Sequence, residues 1–175
     1  MKCIRFVQFF TLALLASLLV AGKAQATILN FEVNLDGLQE VPPNASPAFG
    51  LADLTLDDSS GLVSITTGTY QDLLGGATAV TLNGPALPGV NAGLLLVLTL
   101  DTPAANTGTF SGGGTLAAGN ITDMVNEKTY INIRSQVFPS GEIRGQLFSV
   151  PEPSTLVLGA LGMCSLLAAA RRKRG

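Results

Sequence analysis

The stretch Phe31-Glu32-Val33-Asn34-Leu35-Asp36 alternates apolar and polar residues, and the same period of two returns along the middle of the chain. Ala52, Leu54 and Leu56 alternate with Asp53, Thr55 and Asp57, and Val63 and Ile65 flank Ser64. Ile131 and Ile133 alternate with Tyr130, Asn132 and Arg134; Ile143 and Leu147 with Glu142, Arg144 and Gln146. Successive side chains of a strand point to opposite faces, so the pattern predicts antiparallel strands sharing one core. The run Leu94 to Leu100 is more continuously apolar and predicts a central strand. Turn chemistry separates the runs at Glu40-Val41-Pro42-Pro43-Asn44, Asp57-Asp58-Ser59-Ser60-Gly61, Asn83-Gly84-Pro85 and Phe138-Pro139-Ser140-Gly141. Seven or eight short strands so connected read as an all-β fold, an antiparallel β-sandwich or Greek-key barrel. One stretch breaks the period: Asn120 to Glu127 predicts a short helix with Asn120 as N-cap and Asp123 in the first turn.

The two ends are different in kind. MKCIR, the apolar FVQFFTLALLASLLVAG and then KAQA form the three parts of a secretory signal peptide. Its small-x-small site at Ala24 and Ala26 predicts cleavage by signal peptidase that leaves Thr27 first; the alternative is a retained membrane anchor. Cys3 lies too early to be a lipidated cysteine. At the other end, Leu156 to Ala170 is uncharged and forms a marginal transmembrane helix, followed at once by Arg171-Arg172-Lys173-Arg174. Basic residues flanking a span prefer the cytoplasmic side, so the expected topology puts the middle of the chain outside the cytoplasmic membrane.

Val150-Pro151-Glu152-Pro153-Ser154-Thr155, the apolar run and the Arg-rich end together resemble the PEP-CTERM sorting signal of Gram-negative bacteria. The resemblance implies recognition of Pro151, Glu152 and Pro153 by an exosortase, a membrane cysteine transpeptidase. It further implies delivery to the cell surface or the extracellular polysaccharide matrix.

The expected domain plan is therefore a signal peptide over 1–26, one domain over 27–149 and the sorting signal over 150–175. The whole chain carries −2, but between Thr27 and Val150 three cations (Lys128, Arg134, Arg144) face eleven acids, a balance of −8. Phosphate neutralisation needs clustered Lys and Arg, so nucleic acid is a poor partner for this body. Both cysteines, Cys3 and Cys164, fall in the terminal segments, so no disulfide is expected in the body, and the chain has no histidine and no tryptophan.

Four stretches in order resemble the CHRD domain, a module named from chordin that also occurs in exported bacterial proteins. They are Leu38-Gln39-Glu40-Val41-Pro42-Pro43, Asn83-Gly84-Pro85-Ala86, Tyr130-Ile131-Asn132-Ile133 and Ser140-Gly141-Glu142-Ile143-Arg144-Gly145-Gln146-Leu147. The resemblance spans roughly residues 29 to 148. The family carries histidines at three positions that are Thr81, Asn83 and Arg134 here. A guanidinium does not ligate metal, and amide or hydroxyl groups are poor partners for zinc or copper. A polar hydrogen-bonding patch is what those positions can still form.

The remaining chemistry is sparse. Ser111 lies in Thr109-Phe110-Ser111-Gly112-Gly113-Gly114, which is not a nucleophile elbow, and no histidine base exists. The glycine triplet lacks the Lys-Ser/Thr of a phosphate loop and reads as a bulge or turn. A paired-carboxylate glycosidase would use acids such as Glu40 and Glu142, but aromatic platforms for a sugar ring are few. Asp57 and Asp58 are weak calcium candidates, set against a plain hairpin turn. Glu142, Arg144 and Gln146 share one strand face, with Asn132 and Arg134 expected alongside. That set reads either as a polar recognition strip or as a cross-strand ion pair, with Gly145 marking a close backbone approach. The resulting expectation is a non-enzymatic structural or adhesive module without a cofactor, its partners being signal peptidase, exosortase and extracellular polysaccharide or surface proteins. The alternatives are a carboxylate-based enzyme on surface glycans and a calcium-dependent adhesin.

Overall fold

Phe31, Val33, Leu35, Ala52, Leu54, Leu56 and Val63 are all buried, while Glu32, Asn34 and Asp53 between them are exposed. The alternation thus forms strands with one face on a core. The structure, a computed structural model, describes residues 27–150. The signal peptide with Ala24 and Ala26, the Pro151-Glu152-Pro153 motif and the apolar C-terminal run lie outside the described residues. Among the described residues no helix is long and apolar enough to cross a membrane.

The strands are β1 (Ile28–Asp36), β2 (Phe49–Asp57), β3 (Leu62–Gln71), β4 (Ala77–Asn83), β5 (Leu94–Leu100), β6 (Gly108–Ser111), β7 (Gly113–Thr115), β8 (Tyr130–Ser135), β9 (Ile143–Gln146) and β10 (Phe148–Ser149). One helix, α1 (Ala118–Val125), lies between β7 and β8. Neighbours run β1-β2-β3-β6-β5-β4-β8-β9, and the pairing of Asp36 with Arg144 joins β9 back to β1. The result is a closed antiparallel barrel of eight strands, with β7 beside β3 and β10 beside β1. The order β3-β6-β5-β4 is a Greek key: three hairpin-linked strands, and a fourth that lies beside the far end of the set. Closure depends on Gly145. A Cβ there would strike Val33 and the carbonyl of Asn34, so the close approach expected at this glycine is present.

The glycine triplet is also a bulge. Gly112 has φ of 103°, and its carbonyl accepts from Ile65 N–H at 2.9 Å, so the chain passes from β6 to β7 while staying paired to β3.

One expectation is met with a qualification and one needs correction. The apolar run Leu94–Leu100 is paired on both sides, yet only Leu98 is fully buried and Val97 is 67% exposed. Pairing with β4 on one side and with β6, at Thr99 and Leu100, on the other makes it a central strand as expected, though much of its apolar surface stays exposed. The helix begins earlier than expected. Ala117 is its N-cap, without a side-chain cap, because Leu116 is anchored in the core and donates its N–H to Gly61 O. Asn120 lies inside the helix, and Asp123 near its far end pairs with Lys128 at 3.6 Å.

Candidate functional site

Strands β4, β8 and β9 turn Val80, Leu82, Ile131, Ile133, Ile143 and Leu147 toward the core. Their opposite face carries Thr81 and Asn83, then Tyr130, Asn132 and Arg134, then Glu142, Arg144 and Gln146. The register sets Thr81, Asn132 and Arg144 side by side, and Asn83, Tyr130 and Gln146 beside them. This outer face is not open to water. Glu142 is 0% exposed and Arg144 1%, and of the set only Arg134 is not classed as buried. The strip expected from the sequence is therefore assembled, but as an interior layer and not as a surface. Nor does the set contain a cross-strand ion pair: the salt bridge found among the described residues is Lys128–Asp123.

Two proline-containing loops cover the layer. The first follows β1: Asp36 caps a 3-10 turn (Gly37–Gln39) by accepting from Leu38 and Gln39 N–H at 2.8 and 3.0 Å. Gln39 Nε2 donates to Asp36 Oδ2 and Asn34 O, leaving its Oε1 to accept from Gln146 N–H at 3.1 Å. Glu40 is thereby turned inward, 6% exposed. The second loop joins β4 to β5. Tyr130 Oη holds it, accepting from Ala92 N–H at 2.9 Å, and Gln146 Nε2 donates to Ala86 O at 3.0 Å and to Glu127 O at 2.7 Å. Asn91 joins the loops. Its Nδ2 donates to Val41 O at 2.9 Å, and its Oδ1 accepts from Arg144 Nη1 at 3.3 Å. Between the loops lies a cleft of about 330 Å³, with Gln39, Glu40, Arg144 and Gln146 in its wall and Leu38, Val41, Pro43 and Pro88 around them.

The electrostatics of the layer follow from burial. Desolvation pushes the Glu40 carboxyl up to about 7, against the opposing pull of Arg144 and, more weakly, Arg134. Burial also lowers Arg144, which still keeps its charge because guanidinium loses its proton only far above neutrality. Its Cζ lies 3.5 Å from the centre of the Tyr130 ring, a cation–π contact in a largely desolvated setting. Three buried oxygens in the layer, Glu40 Oε1, Asn132 Oδ1 and Glu142 Oε2, have no hydrogen-bond partner, and Gly141 brings its backbone close to the first two.

The two carboxylates weighed as a catalytic pair do not face each other across the cleft. Glu142 lies to one side of it, accepting from Ser46 Oγ at 2.6 Å and Leu74 N–H at 2.7 Å. The calcium candidates are engaged in a turn. Asp57 Oδ1 accepts from Ser59 Oγ, Ser59 N–H and Ser60 N–H at 2.7 to 3.2 Å, and these bonds, the serine hydroxyls first, hold its carboxyl down at about 2. Asp58 Oδ1 accepts from Thr27 N–H at 2.9 Å. No group of three or more acidic, cysteine or histidine side chains could hold a metal among the described residues. Thr81, Asn83 and Arg134 lie together on the outer face of β4 and β8, and Thr81 Oγ1 donates to Asn83 Oδ1 at 2.7 Å. Arg134 does not join that bond, and its buried Nε has no partner; hydroxyl, amide and guanidinium together make no metal-ligating donor set.

Sequence reasoning passed over Gln39, Asn91 and Tyr130 as site residues. A signal was available: both covering loops are stretches that carried the family resemblance, and such loops beside a polar strand face can close over it.

A family model described as the CHRD domain matches residues 31–147. A second, described as the PEP-CTERM protein-sorting motif, matches residues 149–174. Neither the curated proteins nor the solved structures gave a match.

Proposed function

From a chain that belongs to the CHRD-domain family and ends in a PEP-CTERM motif, the mark of an exported protein sorted by an exosortase, we propose a non-catalytic binding module. It works at the surface or in the exopolysaccharide matrix of a Gram-negative bacterium, and its recognition site is the cleft between the two loops. The observation that carries this reading is the cleft itself. Buried polar side chains line it, Gln146 and Arg144 among them anchored to the covering loops by hydrogen bonds, and small polar ligands are fixed by a few well-placed groups of this kind in an otherwise apolar wall.

Leu38 is 77% exposed on the rim, so truncating it tests the site without touching the core. Leu38→Ala is expected to weaken binding to the cell's own exopolysaccharide by about fivefold, in line with a rim contact worth about 1 kcal/mol, with an unchanged melting temperature. Unaltered binding would remove the cleft from the proposal.

Glu40 gives a second reading some support, since a carboxyl pushed up to about 7 suits a general acid. A glycosidase also needs a partner carboxylate across the sugar, and Glu142 is turned away into contacts with Ser46 and Leu74. Dye release from a polysaccharide panel decides between them: turnover that disappears in Glu40→Gln would replace the binding reading with an enzyme.

A further inference from the structure

The cleft wall also narrows the class of ligand, an argument that rests on the cleft being the recognition site. Arg144 is almost wholly buried and forms part of that wall, and its hydrogen bonds run to two neutral amide oxygens, Asn91 Oδ1 and Gln146 Oε1, each at 3.3 Å. A guanidinium makes its strongest bonds to carboxylate or phosphate, at about 2.7–2.9 Å and often two at once. No such partner is in place. Glu40 faces Arg144 without an ion pair, and a carboxyl held up at about 7 is roughly half uncharged at neutral pH. Arg134 acts on the same Glu40 from β8, so two of the three cations between Thr27 and Val150 converge on this layer.

Asn91 is the exposed member of this arrangement, a neutral amide standing where an anion would be the better partner. In the cleft wall beside Arg144, Leu38, Val41, Pro43 and Pro88 offer apolar surface, while Gln39 and Gln146 offer amides that can donate and accept; Asn91 reaches this wall through its bonds to Arg144 and Val41. A sugar ring presents C–H faces to the first and hydroxyls to the second; an acidic sugar adds the anion. We propose that the cleft binds a uronate unit of an acidic polysaccharide, its carboxylate replacing the Asn91 amide on Arg144.

Calorimetry on the full chain in non-ionic detergent would test this with trigalacturonate, its methyl ester and a short peptide with a free C-terminal carboxylate. The free acid is expected to bind at least about tenfold more tightly than the ester, the loss of one charge-assisted contact. Asn91→Asp would place a carboxylate permanently beside Arg144 and should abolish that preference, whereas Asn91→Ala should keep or raise affinity for the acid. Position 91 is exposed, so both variants should fold, and thermal melting checks it. Equal binding of acid and ester, lost in Leu38→Ala, would overturn the uronate inference and leave the cleft a binding site. Tighter binding of the peptide would overturn it in favour of a protein carboxylate, and undiminished uronate binding by Asn91→Asp would overturn it as well. Should neither sugar bind and Leu38→Ala leave exopolysaccharide binding unchanged, the uronate inference and the cleft reading would both fall.

Discussion

On β1 and β2 the residues opposite the core face water, whereas on β8 and β9 they face protein. Glu32, Asn34 and Asp53 stand exposed between Phe31, Val33, Leu35 and Leu54, the usual state of an antiparallel sheet with one wet face. Asn132, Glu142, Arg144 and Gln146 occupy equivalent places between Ile131, Ile133, Ile143 and Leu147, yet all are buried. The two halves of one barrel follow the same period of two with opposite consequences for the polar side chains. A polar residue on the wet half is nearly free of structural duty. On the covered half it depends on protein partners, and the covering loops supply several of them, to Glu142, Arg144 and Gln146.

The largest effect should come from the core that both halves share. Phe31→Ala removes a fully buried ring from β1 and should cost about 4 kcal/mol in urea unfolding, independent of anything the loops do. A smaller and more discriminating effect is expected from Glu40, whose carboxyl rises from 4.5 to about 7 because burial penalises its charge. The folded protein then holds a proton that the unfolded chain has released. This stabilisation is complete below the unfolded value and is lost as pH rises through the folded one, on the order of 3 kcal/mol in all. Unfolding free energies at pH 4.5 and pH 8 should therefore differ more in the natural protein than in Glu40→Gln; equal differences would place Glu40 in contact with water and break the contrast between the halves. Gln146→Ala should cost about 2 kcal/mol, since it leaves the carbonyls of Ala86 and Glu127 without their shared donor and frees the second loop. Hydrogen exchange around Ala92 should speed up in the same variant.

Strand identity and the core list were legible because alternation reports directly which side chains point inward. Phe31 to Leu35 and Ile131 to Ile133 behave as their pattern requires. What covers the other face was not legible, because it depends on where distant loops return: Gln39 reaches Gln146 across 107 positions of sequence. The apolar run over Leu94–Leu100 marked a strand paired on both sides, but composition does not say how much of its surface is covered. Among the candidate site residues, the grouping of Asn132, Arg134, Glu142, Arg144 and Gln146 was readable from period and adjacency. Their enclosure, and the roles of Asn91 and Tyr130 as clasps, required the fold.

The smallest effect belongs to the wet half and bounds the comparison from below. Glu32 on β1 lies directly beside Asp53 on β2, two exposed acids on one face. Like charges directly opposite in a sheet are mildly destabilising, while opposite charges contribute roughly 0.2–1 kcal/mol. Glu32→Lys should therefore stabilise the protein by about 0.5 kcal/mol at low salt, and 1 M salt should erase most of the gain by shortening the screening distance to about 3 Å. The body's charge of −8 acts in the same direction, because any added cation relieves its self-repulsion. A control at another exposed site separates the two contributions: Ser64→Lys on β3, opposite Thr55, should gain less, having no acid directly opposite it. A cost above 1 kcal/mol for Glu32→Lys would mean that this face too is covered by protein, and the difference between the halves would dissolve.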